Sequence, residues 1–179
     1  MDPFATLGLA RRYDLDESEL EQRYRDLQRE FHPDRHIQAP ALERRSKLQR
    51  AVEVNEAYRL LRDPQRRAES LLALLTGEAA REPSPDRSAD PELLVEMMEL
   101  REELSEAKAE RDAAKVGKLA GQVERSRSEA TAKLTQLFGQ LPAEPTAAAL
   151  EPARALVSRL KYYQRFLDEV AVFEDEAAP

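Results

Sequence analysis

The chain has 179 residues, 41% hydrophobic and 35% charged, with 5 glycines, no cysteine and a formal net charge of −7. The lack of cysteine excludes disulfides, thiolate nucleophiles and zinc fingers, and the lack of a long apolar run or a basic N-terminal stretch leaves neither a membrane anchor nor a secretory signal to expect, so the default location is cytoplasmic. Abundant Ala, Glu, Arg, Leu and Lys with few glycines predict an all-α fold, because straight-chain residues lose little rotamer freedom in helices.

Leu7 and Leu9 lie in an opening stretch expected to cover the apolar edge of a helical hairpin. Asp16 followed by Glu19 resembles a capping box. Leu20, Tyr24, Leu27 and Phe31 then recur at i, i+4, i+7 and i+11, one apolar stripe on a helix. Gln22, Arg25 and Arg29 fall on the wet face, and acids at the front with arginines behind suit the helix dipole. Pro33 ends this helix, because the residue before a proline avoids the α region. A second helix is predicted roughly from Ala41 to Arg62, with Ala51, Val54, Tyr58 and Leu61 on one face and Asp63-Pro64 as its stop. A leucine-rich piece from Arg66 to Leu75 ends at Gly77, a natural C-cap. Residues 35–67 are locally basic, with nine Lys/Arg against four acids, which suits an acidic protein surface.

Residues 76–91 hold three prolines and almost no large apolar side chain. Such a stretch buries too little to offset its ordering entropy, so it reads as a linker between a first domain, 1–75, and a second, 92–179. The second block opens at Asp90-Pro91-Glu92, an N-cap followed by proline at the first helical position. Leu93, Met97, Leu100, Leu104 and Ala107 form its core face. The next helix carries Val116, Leu119, Val123, Ala130 and Leu137 and is expected to end before Gly139. Pro142, Pro145 and Pro152 punctuate the turn into a third, where Leu156, Leu160, Tyr163, Leu167 and Val170 follow the spacing of a bundle seam. A three-helix bundle results. It carries the acidic excess: residues 1–77 hold 14 basic and 14 acidic side chains, and the remainder 14 basic against 21 acidic. An acidic chain without a basic arm lacks the phosphate-neutralising contacts that dominate nucleic-acid affinity, so nucleic acid is not an expected partner.

Two groups of residues invite a functional reading. His32-Pro33-Asp34 is accompanied by no serine motif, phosphate loop or cysteine, as a catalytic dyad would need; as a metal site it offers His32, Asp34 and His36 with no obvious second layer of partners. The plain alternative is a surface turn in which Pro33 limits the backbone and Asp34 caps the next segment, with Arg25, Arg29 and Arg35 on a solvated face. In the first bundle helix, Leu94, Val95 and Met98 lie off the core stripe beside Glu99, Glu102 and Glu106. A bundle needs one buried stripe per helix, so a second apolar patch marks a partner surface or a seat for the first domain. Tyr162 and Phe166 form a similar off-seam pair on the last helix.

Tyr24-Arg25, Phe31-His32-Pro33-Asp34-Arg35 and Asn55-Glu56-Ala57-Tyr58-Arg59-Leu60-Leu61, in that order, resemble the J-domain family over about residues 1–75. A narrower resemblance spans nearly the whole chain. Asp2-Pro3-Phe4-Ala5-Thr6-Leu7-Gly8-Leu9, Arg12-Tyr13-Asp14-Leu15-Asp16, Asp26-Leu27-Gln28-Arg29, Arg67-Ala68-Glu69 and Glu99-Leu100-Arg101-Glu102-Glu103-Leu104 are similar to the HscB-type J-proteins of iron–sulfur cluster assembly. The resemblance implies a co-chaperone that is not an enzyme and has no cofactor of its own. It implies that His32, Pro33, Asp34, Arg25, Arg29 and Arg35 meet a heat-shock ATPase of the HscA/DnaK type and stimulate it. It further implies that Leu94, Val95, Met98, Glu99, Glu102, Glu106 and Tyr162 hold an iron–sulfur cluster scaffold protein of the IscU type. Asp26 follows Arg25 where many J-domains carry a basic pair, which favours a specialised ATPase. A J-domain adaptor for a different client, and a metal-dependent enzyme using His32, Asp34 and His36, stay open as alternatives.

Overall fold

The computed structural model describes residues 1–36, 40–77 and 90–177, with the side chains of His36 and Ala177 outside that set. Among the described residues there are α-helices and one 3₁₀ turn, and no strand. The helices are α1 (Pro3–Leu7), α2 (Glu17–Phe31), α3 (Ala41–Arg62), α4 (Pro64–Thr76), α5 (Pro91–Ala109), α6 (Ala113–Gln140) and α7 (Ala147–Ala177), with the 3₁₀ turn at Pro33–His36. They fall into two compact units, Met1–Ala80 and Arg81–Pro179. Residues 78–89 of the expected linker lie outside the described residues; its ends, Thr76 and Pro91, belong to α4 and α5.

In the first unit every helix begins on a side-chain cap or a proline. Asp2 accepts from the N–H groups of Phe4 and Ala5 at 3.0 and 3.1 Å, and Gly8 takes the left-handed φ of 67° that ends α1 after five residues. Phe4 and Leu7 are thereby buried, and α1 packs on α3 and α2. Asp16 caps α2 through the N–H groups of Ser18 and Glu19, the N-cap half of the capping-box pattern. Leu20 of the α2 stripe is buried, while Tyr24, Leu27 and Phe31 are half-buried. Opposite them α3 buries Val54, Ala57 and Leu61. Asp63 ends α3 and caps α4 through Arg66 N–H at 2.8 Å, so α4 starts at Pro64 rather than at Arg66. Arg67 on α4 is only 7% exposed. Its Nε donates to Leu61 O at 2.7 Å, its Nη1 donates to Tyr13 O at 3.1 Å, and its guanidinium lies 5.7 Å from the Tyr13 ring centre. Burial pushes this guanidinium below its ordinary pKa, and the two carbonyls it reaches supply the partners a buried cation requires.

In the second unit α5 buries Leu93, Met97, Leu100, Leu104 and Ala107, the whole predicted stripe. The α5–α6 turn is closed by Asp112 N–H to Ala107 O at 2.9 Å and Arg111 N–H to Lys108 O at 3.1 Å, a Schellman pairing. Its left-handed residue is Arg111, at φ 53°, instead of glycine. α6 continues through Gly139 to Gln140, and Leu134 rather than Leu137 follows Ala130 in the core. Two expectations for the last helix fail. Pro152 lies inside α7, not in the turn before it. The helix is started upstream by Thr146, whose Oγ1 accepts from Ala149 N–H at 3.3 Å, and the lost Pro152 hydrogen bond is outweighed by packing of Leu150, Ala153 and Val157. Phe166 is fully buried and so is not part of an exposed pair with Tyr162. α7 packs against both α5 and α6, and its apolar stripe is wider than a single seam: Leu160, Tyr163, Phe166 and Val170 are buried, whereas Leu156 and Leu167 are half-buried.

Candidate partner-binding surfaces

The first surface is the end of the α2–α3 hairpin. Pro33 cannot extend α2, and His32 leaves it with an extended ψ of 131°. The chain then makes one 3₁₀ turn, closed by Arg35 N–H to His32 O at 3.1 Å. His32 Nδ1 accepts from Asp34 N–H at 3.3 Å and stands 3.7 Å from Asp34 Oδ2. The side chains of His32 and Asp34 are 55% and 80% exposed. Side chains this exposed offer hydrogen bonds and charge to a partner rather than a water-excluded reaction site. A depression of about 400 Å³ lined by Gln28, Arg29, His32 and Arg35 opens beside it. Among the described residues no cluster of three or more His, Cys, Asp or Glu could hold a metal ion; the side chain of His36 lies outside them.

The arginines of this surface are tied to their own helices. Arg25 pairs with Glu21 at 3.0 Å and Arg29 with Asp26 at 3.2 Å. Asp26 also accepts from Gln22 Nε2 at 3.0 Å. Arg35 Nη1 donates to Arg29 O at 3.2 Å, which folds the turn back onto the end of α2. From α3, Lys47 sits 5.4 Å above the Phe31 ring. Asn55 Oδ1 accepts from Tyr24 Oη at 3.1 Å and from Gln28 Nε2, while the Tyr24 and Tyr58 rings stack at 4.0 Å. These cross-hairpin ties carry no signal in the spacing of the sequence.

The second surface lies on α5. Leu94, Val95 and Met98 are exposed, Met98 to 71%, and Glu99, Glu102 and Glu106 are exposed beside them. At about 100° per residue these six positions fall within a sector of about 140°, so they share one side of the helix, away from the buried stripe. Lys115 reaches Glu106 at 3.4 Å at one end. Tyr162 stands on α7, half-buried, with the Arg165 guanidinium 5.9 Å from its ring centre. The start of α5 is fixed to α7 by Arg159 and Asp90 at 2.5 Å, and Asp90 also caps α5 through Glu92 N–H. The Arg159 hydrogen bond, and then the cap, hold the Asp90 carboxyl below its ordinary pKa. An apolar patch rimmed by carboxylates can accept a partner with an apolar centre and basic edges.

Residues 2–69 match the DnaJ domain, and residues 89–171 match the HSCB C-terminal oligomerisation domain. The structure is similar to that of chaperone HscB from Vibrio cholerae, which is 33% identical over 99% of this chain and 100% of its own, with a TM-score of 0.80. The crystal structure of human co-chaperone protein HscB is 26% identical over 97% of this chain and 82% of its own, with a TM-score of 0.83. The Jac1 co-chaperone from Saccharomyces cerevisiae, at 24% identity over 93% and 85% of the two chains and a TM-score of 0.66, shares the fold.

Proposed function

The chain belongs to the HscB family of J-domain co-chaperones, and from that premise we propose that it stimulates a heat-shock ATPase of the HscA/DnaK type and delivers to it an iron–sulfur cluster scaffold protein of the IscU type. In this reading His32, Pro33, Asp34, Arg25, Arg29 and Arg35 meet the ATPase. Leu94, Val95, Met98, Glu99, Glu102, Glu106 and Tyr162 meet the scaffold. The chain needs no active site: it brings two partners together and biases the ATPase toward hydrolysis.

The observation that carries the reading is the His32-Pro33-Asp34 turn, presented in the open at the tip of a hairpin with arginines around it. Contacts of this kind steer encounter and fix orientation, so stimulation weakens as salt rises. Replacing His32, Pro33 and Asp34 by alanine is expected to abolish stimulation while leaving helical content and scaffold affinity intact. Surviving stimulation would remove the turn from the interface. The scaffold assignment has its own test: residues 84–179 should bind a cluster scaffold at micromolar concentration in a calorimetric titration. No binding there would favour an adaptor for a different client.

A further inference from the structure

A short exposed turn at a hairpin tip aims only as well as its helices are held. A polar tie joins α2 to α3. Asn55, exposed in the middle of α3, presents Oδ1 to two donors on α2, Tyr24 Oη and Gln28 Nε2. These positions are one helical turn apart, so donors from two levels of α2 converge on a single oxygen and oppose both rolling and sliding of the helix. Tyr24 is held in place by stacking on Tyr58, with an interplanar angle of 12°. Gln28 also lines the depression shared by Arg29, His32 and Arg35, and Arg35 is bonded to Arg29 O. A continuous set of contacts therefore runs from Asn55 to the wall beside the turn.

Resting on the reading of residues 25–35 as the ATPase-docking face, we propose that Asn55 is a positioning residue, whose side-chain oxygen fixes the angle at which α2 presents His32-Pro33-Asp34. Stability does not account for this residue. Asparagine is a poor helix former, and an exposed amide in water satisfies its own hydrogen bonds. What Asn55 adds is direction. If its acceptor is lost, the turn samples other orientations and only a fraction of molecules is competent to dock. The apparent affinity then falls by that fraction, while stimulation at saturation is unchanged.

The test compares the full-length chain with Asn55→Leu, which keeps the size and removes the acceptor, and Asn55→Asp, which keeps the acceptor. ATPase stimulation is measured against co-chaperone concentration, and amide relaxation is measured at Asp34 and Arg35. Asn55→Leu should need about three to ten times more protein for half-maximal stimulation, with an unchanged plateau and more mobile amides at the turn. Asn55→Asp should match the parent in both readouts. The proposal is overturned if Asn55→Leu behaves like the parent, or if Asn55→Asp fails equally, since the acceptor would then not matter. If the parent stimulates no heat-shock ATPase, the docking reading falls, and the relaxation arm still decides whether Asn55 holds the turn.

Discussion

Asp26 follows one arginine of the candidate docking face and is bound to another, Arg29, at 3.2 Å. The pair is exposed, so it adds little to stability, but it withdraws positive charge from the face that a negatively charged partner would approach. Asp26→Ala should raise the association rate with the ATPase a few-fold at low salt, and the gain should vanish by about 0.5 M salt, where the Debye length is only a few ångströms. Stopped-flow measurements across a salt series check this, and an unchanged rate would show that the α2 field does not steer. At this scale the sequence is a partial guide. His32-Pro33-Asp34 and Asn55 both stand in recognisable motifs, but the bonds of Asn55 come from side chains 31 and 27 positions away. No local spacing encodes such partners. Phe166 departs from its expected exposure for a related reason: which face of a helix is buried depends on how many neighbours it has.

Among the helices, α5 sets a buried stripe sharply apart from the candidate surface of Leu94, Val95 and Met98. Leu100 is 5% exposed, whereas Met98, two positions earlier, stands in the open. Leu100→Ala should cost about 2–5 kcal/mol in denaturant unfolding. The double change Leu94→Ala and Met98→Ala should leave the melting midpoint within a few degrees and weaken scaffold binding by tenfold or more. A large loss of stability in the double variant would mean that these side chains are buried in solution. The α5 stripe is fully legible because Asp90-Pro91 fixes its start and its spacing is unbroken. α7 is less so: Pro152 reads as a breaker, although a helix with a long packed face absorbs one missing hydrogen bond. The α5–α6 turn carries no glycine or proline to announce it, and Arg111 takes the left-handed conformation at a cost of about 1 kcal/mol.

On the scale of the whole chain there are two compact units, Met1–Ala80 and Arg81–Pro179, and the proline-bearing segment 76–91, which lacks the apolar side chains a core needs, is where composition alone puts a boundary. Each unit has its own core and its own candidate surface, so under the proposed function one chain would hold two binding events at high effective concentration. Supplied as separate pieces, residues 1–77 should still stimulate the ATPase weakly, and residues 84–179 should still bind the scaffold. The extra stimulation that scaffold gives with the intact chain should be lost, since covalent linkage is what makes the second encounter intramolecular. A steady-state ATPase assay with intact and split chains, each with and without scaffold, measures this. Undiminished stimulation from the split pieces would mean that linkage contributes nothing.

Arg67 reaches back 54 positions to the carbonyl of Tyr13. A chain synthesised from its N-terminus therefore makes α2, the turn and α3 before the side chain that pins the segment ahead of α2 exists. On the ribosome the residues of the hairpin emerge before Arg67, so the segment around Tyr13 gains this brace only after residue 67 has cleared the exit tunnel.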